Sequence, residues 1–371
     1  MTRFQKALAL GAGLLCLLAL FLPYGRVDAA QSSILSFPAV LAFLMAGVIS
    51  LARFRLTLSY VADGILAVAG AVVLMGSLAM IDLAAPGFWC VLIATWLFAW
   101  LFAERLSTGI AKGTTPNQAG FLVPAMFGTA ILVVWEAVTR GGGVPTILLP
   151  APSGIWDQLI NSVPVLAADF YQTFIKAVLT GYVMGCAAGF AVAIAIDRSP
   201  FLKRGLLPLG NFVSALPLIG IAPIMVMWFG FDWQSKAAVV VVMTFFPMLV
   251  NTISGLNASG EMERDLMRTY ASSYWQTLGK LRLPAAAPFI FNALKINSTL
   301  ALIGAIVAEF FGTPIVGMGF RISSEIGKLN VEMVWAEIAV AALAGSAFYG
   351  VMALLERAVT FWHPSVRSGR A

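Results

Sequence analysis

Residues 257–284 read Asn257-Ala-Ser-Gly-Glu-Met-Glu-Arg-Asp265-Leu-Met-Arg-Thr-Tyr-Ala271-Ser-Ser-Tyr-Trp-Gln-Thr-Leu-Gly-Lys-Leu281-Arg-Leu-Pro284, the longest polar interruption in an otherwise apolar chain. Apolar runs long enough to cross a bilayer flank it on both sides. A mixed-charge segment in that position must leave the hydrocarbon, and its Arg and Lys content assigns it to the cytoplasmic face. Two short helices are expected within it, Asp265–Tyr270 and Tyr274–Leu281, broken at Ala271-Ser-Ser273, with Pro284 opening the next span. On a helix, Asp265, Arg268 and Thr269 share one polar face. Leu266, Met267 and Tyr270 lie around the other side, as an apolar knob that needs burial.

The rest of the chain explains why such a loop stands out. Of 371 residues, 60% are apolar and 11% charged, with a mean hydropathy of +0.91. Soluble domains carry about 25% charged residues, so the composition specifies an all-α, polytopic helical membrane protein. With about 20 residues needed per span, about ten transmembrane helices are expected. They fall near 7–23, 34–52, 58–80, 87–104, 119–138, 173–196, 207–229, 236–255, 286–309 and 336–356. Placing the N-terminus inside puts sixteen Lys and Arg on the cytoplasmic face and six outside, namely Arg26, Arg140, Lys176, Lys236, Arg321 and Lys328. That asymmetry follows the positive-inside rule. The net charge of +6 is therefore a membrane signature and calls for no nucleic-acid partner.

Other classes are disfavoured by what is missing. Cys16, Cys90 and Cys186 lie far apart inside apolar runs, where they read as packing residues and not as a disulfide or metal set. His363 has no Cys or carboxylate neighbour in sequence with which to build a zinc site. No Gly-x4-Gly-Lys-Ser/Thr occurs, so the phosphate-cradling loop that hydrolyses ATP is expected on another chain. Neither a catalytic constellation nor a metal site is expected, and no cofactor is expected on this chain. Arg3 and Lys6 followed by an apolar run resemble a signal peptide, but the run of about 17 residues exceeds the usual length of about 7–15. A spanning helix is the preferred reading there.

Organisation follows from the Gly- and Thr-rich segment 107–118, read as a cytoplasmic linker. Residues 1–106 then form an accessory region of four helices, 119–363 a six-helix core, and 364–371 a cytoplasmic tail. An external loop, about 139–172, carries Gly141-Gly-Gly143, Pro145 and Leu149-Pro-Ala-Pro-Ser153, followed by an expected short surface helix with Ser153 as its cap.

The spacing in 257–284 resembles the loop of bacterial ABC-importer permeases that reads Glu-Ala-Ala, three residues, Gly, nine residues, Ile, one residue, Leu-Pro. Here the matching positions are Asp265-Leu266-Met267, Ala271, Leu281 and Leu283-Pro284, with Asp for Glu and Ala for Gly. Leu149-Pro-Ala-Pro-Ser153, Gly181-x3-Gly185-x3-Gly189, Ser214-Ala-Leu-Pro217, and Glu309 followed by Gly317-Met-Gly319 are similar to the sulfonate/taurine/nitrate branch of that family. The branch also includes permeases for thiamine pyrimidine precursors and riboflavin. The resemblance implies a permease subunit in the bacterial inner membrane that forms the pathway for a small solute. It implies a cytoplasmic ATP-binding subunit that uses the ATP, a periplasmic solute-binding protein, and a second permease copy as a homodimer in the bilayer. It also makes Asp265, Leu266, Met267, Arg268, Ala271, Leu283 and Pro284 the ATPase-coupling loop.

Two motifs have a bland and a functional reading side by side. The Gly181/Gly185/Gly189 face suits close helix packing. Pro217 and Pro223 break one span, and broken backbone at membrane depth lines a cavity or is buried in protein. Ser214, Pro217, Gly220 and Pro223 are thus pathway candidates. Glu309 either hydrogen-bonds the turn that follows it or acts in gating. Lys295 is expected to snorkel inward, and Glu136 to pair with Arg140. The rival function is an ion- or proton-coupled secondary transporter acting alone, which needs ionisable relays near the midplane.

Overall fold

The computed structural model describes residues 2–27, 30–54, 59–199, 201–202, 205, 218–312 and 316–362. Two compact units divide the chain, Met1–Asp157 and Gln158–Ala371.

The first unit opens with α1 (Arg3–Ala19), whose start is fixed by a reciprocal Thr2/Gln5 capping box. It continues through α2 (Pro38–Ile49), α3 (Tyr60–Leu78), α4 (Pro86–Ala111) and α5 (Ala119–Gly141). α4 lies against both α1 and α3. Their small residues are buried, with Ala12 and Cys16 on one helix and Ala94 on another. A short antiparallel sheet joins Gly25–Val27, Ala30–Ser32 and Leu83–Ala84, a β element that an all-α reading does not include. Tyr24 sits beneath it, fully buried, its hydroxyl 2.7 Å from Ser77 Oγ. The segment expected as a linker is helical through Ala111. α6 (Pro152–Asn161) is the short helix expected after the Pro-rich turn. Its cap differs from expectation, because Glu136 accepts from both the Ser153 N–H (2.9 Å) and the Ser153 hydroxyl (2.6 Å). Arg140 pairs with the same carboxylate at 3.3 Å.

The second unit contains α7 (Val163–Arg198), α8 (Leu218–Phe229), α9 (Trp233–Asn257), α10 (Glu261–Thr269), α11 (Tyr274–Glu309), α12 (Met318–Gly327) and α13 (Val331–Val359). α9 is central, packed between α7 and α11. Gly181, Gly185 and Gly189 are all buried against it. A Cβ at Gly181 would come within 2.6 Å of the Ala237 carbonyl, and one at Gly189 within 2.5 Å of the Phe245 carbonyl. The glycine face is therefore a packing surface that brings two backbones together. In lipid, where apolar burial drives little helix association, such close packing is a main source of stability.

Among the described residues, seven helices are long and apolar enough to cross a membrane: α3, α4, α5, α7, α9, α11 and α13. The other three expected spans correspond to shorter helices, α1 of 17 residues, α2 of 12 and α8 of 12. Residues 206–217, which hold the first part of the expected seventh span, lie outside the described residues. α7 begins ten residues before the expected 173, at Val163 beside Pro164, and passes through a π-helical stretch, Tyr171–Leu179. The polarity of Asp169, Gln172 and Lys176 hides this turn from a hydropathy reading. Lys236, counted as an outside charge, is only 1% exposed and donates to the Phe231 carbonyl at 2.5 Å. Lys295, expected to snorkel inward, reaches Glu356 in the last turn of α13 at 2.6 Å.

Candidate functional site

The 257–284 loop folds as two helices around a break, as its sequence indicates. α10 ends at Thr269 and α11 starts at Tyr274, where Ser273 and Gln276 form a capping box. Between them the chain closes α10 with paired bonds, Ala271 N–H to the Arg268 carbonyl (2.9 Å) and Ser272 N–H to the Met267 carbonyl (3.0 Å). That pattern needs a left-handed residue after the cap, and Ala271 occupies it at φ +52°. An L-residue is disfavoured there by about 1–2 kcal/mol, which explains why glycine suits this position. Ala271→Gly is expected to stabilise the loop by about 1 kcal/mol. Slower amide hydrogen exchange across 266–272 would register it, and unchanged exchange would show that the turn carries no strain.

No side chain of α10 is buried. Asp265 pairs with Arg268 at 3.4 Å, and the Thr269 hydroxyl donates to the Asp265 carbonyl, so the polar face forms as expected. Leu266 is 57% exposed, Tyr270 is 77% exposed, and Met267 is half-buried. Below this free surface the loop is anchored firmly. Arg282 clamps Asp197, at the end of α7, through two bonds of 2.7 Å and donates a third to the Leu256 carbonyl of α9 at 3.0 Å. The Tyr274 hydroxyl reaches the same Asp197 at 2.9 Å. Arg264 caps the last carbonyls of α9 at Leu256 and Asn257. Leu283 packs with Leu256, Leu278 and Ala286 beside this clamp, and Pro284 occupies the first turn of the spanning part of α11. Arg198 lies over the Tyr274 and Trp275 rings at 5.9 and 5.6 Å. The sequence marked the exposed side chains of this loop but not Asp197, Tyr274 or Arg282 as its root.

At the opposite end of the unit a second polar cluster caps α12. Gly317 N–H donates to Asp169 (2.6 Å), Met318 N–H to the Thr173 hydroxyl (2.8 Å) and Gly319 N–H to Glu309 (2.7 Å). Thr173 in turn donates to Glu309 at 2.8 Å, and Arg321 holds Asp169 at 2.8 Å. Side chains from α7 and α11 thus satisfy three of the unpaired N–H groups at one helix start. The motif Gly317-Met-Gly319 has a steric reason. Gly317 adopts φ +144°, and a Cβ there would lie 2.6 Å from a Glu309 oxygen. Nearby Asp232 caps α9 through Trp233 N–H. That bond, with one from Gln172, holds its carboxyl below the usual range.

Glu309 is therefore bonded to the turn that follows it. The other pathway candidates are placed only in part: Ser214 and Pro217 lie outside the described residues, Gly220 is exposed, and Pro223 is half-buried inside α8. A side chain added at Gly220 would enter open space.

Residues 181–361 match the model of the binding-protein-dependent transport system inner membrane component family. The formylaminopyrimidine transport permease protein ThiX of Halalkalibacterium halodurans is 31% identical over 245 residues, 65% of this chain and 96% of that protein. This chain belongs to that family. A probable ABC transporter permease protein of Haemophilus influenzae is 29% identical over 58% of this chain and 88% of its own length. The putative aliphatic sulfonates transport permease protein SsuC of Bacillus subtilis is 27% identical over 66% and 88%. The chain is accordingly a multi-pass permease of the bacterial inner membrane, a transport component and not an enzyme. Its family works with a solute-binding protein and an ATPase. The stand-alone ion-coupled carrier is set aside by this membership.

Proposed function

We propose that the chain is the pathway subunit of an importer for a small solute of the sulfonate, taurine, nitrate or pyrimidine and vitamin-precursor class. The proposal includes a homodimer of permeases, a periplasmic binding protein that delivers the solute, and a partner ATPase that uses the ATP. This chain itself binds no cofactor in that scheme. Relatives named for formylaminopyrimidine, riboflavin, aliphatic sulfonates and taurine support the solute class. Residues 1–106 serve as an accessory module, and the segment 214–223, through Ser214, Pro217, Gly220 and Pro223, borders the path together with Glu309. Gly220→Trp is expected to abolish uptake while leaving ATPase assembly intact; normal uptake would move the path elsewhere.

One observation carries the coupling role: α10 presents an unburied apolar side while its root is locked to α7 and α9. A rigidly mounted, exposed knob is what a cleft in a partner protein accepts. The knob is tested by Leu266→Ala with Met267→Ala. At about 0.8 kcal/mol per buried methylene-sized group, the pair should weaken ATPase association by roughly 2–4 kcal/mol. Asp265→Arg should weaken it further, by placing a charge without a partner in the contact. Co-purification and solute uptake should fall together, with expression unchanged. Wild-type association and uptake in all three variants would remove the loop from the coupling role.

A further inference from the structure

The twenty residues 177–196 of α7 carry no charge, and about 20 such residues cross the hydrocarbon core. Asp197 and Arg198 follow at once, which puts both at the level of the lipid headgroups. Asp197 is fully engaged, with Arg282 on its two oxygens at 2.7 Å and the Tyr274 hydroxyl at 2.9 Å. Arg198 is exposed and, among the described residues, forms no ion pair. No acid occurs in residues 199–217 to take up its charge. Its guanidinium lies over two rings, 5.9 Å from the centre of Tyr274 and 5.6 Å from that of Trp275, and the rings meet edge to face at 5.2 Å. Ring contact holds the cation but offers its N–H donors no acceptor. Beside it stand two exposed apolar side chains, Trp275 at 58% and Phe201, three residues on, at 83%.

We propose that Arg198, framed by Tyr274 and Trp275, binds the phosphate of an anionic phospholipid in the cytoplasmic leaflet. A guanidinium matches two phosphate oxygens with parallel N–H bonds, and basic groups just cytoplasmic of a span attract anionic headgroups. A zwitterionic lipid carries its own ammonium beside the phosphate and has less need of the arginine. The end of an uncharged span, with bare aromatic side chains alongside, favours a lipid over a soluble anion, because tryptophan settles at the headgroup level. Tyr274 holds Asp197 as well as facing Arg198, so an occupied site steadies the root of the 257–284 loop. The site belongs to this chain alone and rests neither on the solute carried nor on the coupling role.

Native mass spectrometry and hydrogen exchange of the full-length chain test it, in nanodiscs of phosphatidylcholine alone or mixed with phosphatidylglycerol. Phosphatidylglycerol should stay with the wild type on release and slow exchange across 273–282. Arg198→Gln should retain about fivefold less of it, the factor that corresponds to the roughly 1 kcal/mol one basic residue gains at an anionic surface, and should lose the slowing. Trp275→Leu should also retain less, since it removes one of the two rings. Lys112→Gln removes an exposed cation of the first unit and should behave as the wild type. Equal retention by the wild type and either Arg198→Gln or Trp275→Leu overturns the proposal. So does an equal loss in Lys112→Gln, which would mean diffuse attraction only. Slowing reproduced by inorganic phosphate in phosphatidylcholine alone would make the site one for small anions and overturn the lipid assignment.

Discussion

Arg282→Ala is expected to destabilise the permease core by about 3 kcal/mol, because it leaves Asp197 without the cation that two 2.7 Å bonds now supply. Breaking a buried pair costs about 3–5 kcal/mol, and the lower end applies where both side chains keep some contact with solvent; here they are 13% and 10% exposed. The bond to the Leu256 carbonyl is lost as well. Faster hydrogen exchange across 261–277 and a lower Tm should appear together. Arg282→Lys should restore little, since an ammonium cannot span both Asp197 oxygens and a carbonyl at once. Pairing Arg282→Ala with Asp197→Ala should recover part of the loss, because no unmatched charge then remains. If Arg282→Ala matched the wild type in both exchange and Tm, the loop would have to be rooted by other contacts.

The second large effect is expected at the glycine face. A side chain at Gly185 would meet backbone, with the Val241 carbonyl 2.8 Å from its Cβ, so no rotamer change can relieve the clash. Gly185→Ala should cost about 1–3 kcal/mol. Gly185→Leu should exceed that and leave little monodisperse protein after extraction. Gly350, on α13, has nothing within 4 Å of an added Cβ, and Gly350→Leu is the matched control that should extract normally. Equal yields and Tm values for the two leucine variants would show that α7 and α9 do not approach so closely.

Local chemistry made the 257–284 loop legible. Ser273 and Gln276 form their capping box three residues apart, and Pro284 and the polar run mark the ends within the same stretch. The glycine face was readable for a similar reason, a regular repeat on one helix. What stayed hidden were partners distant in sequence: Asp169 lies 152 residues from Arg321, and Arg282 lies 85 from Asp197. Spacing along the chain carries no signal for such pairs. Hydropathy also misjudged Lys236, because it scores a charge by residue type and cannot see the carbonyl that receives it.

The contact between α7 and α9 also limits how the molecule can move. Helices held apart by side chains can slip past one another as rotamers change, but a glycine face pressed on carbonyl groups has nothing to rearrange. Arg282 ties the loop to both helices, and Arg264 ties it again to the end of α9. Loop, α7 and α9 therefore form one stiff limb. If the proposed partner pushes on Leu266, the load would be passed along α9 toward Asp232 and Lys236. Compliance must lie where neighbours meet through side chains alone, as α8 meets α9 at Ala222 and Val239.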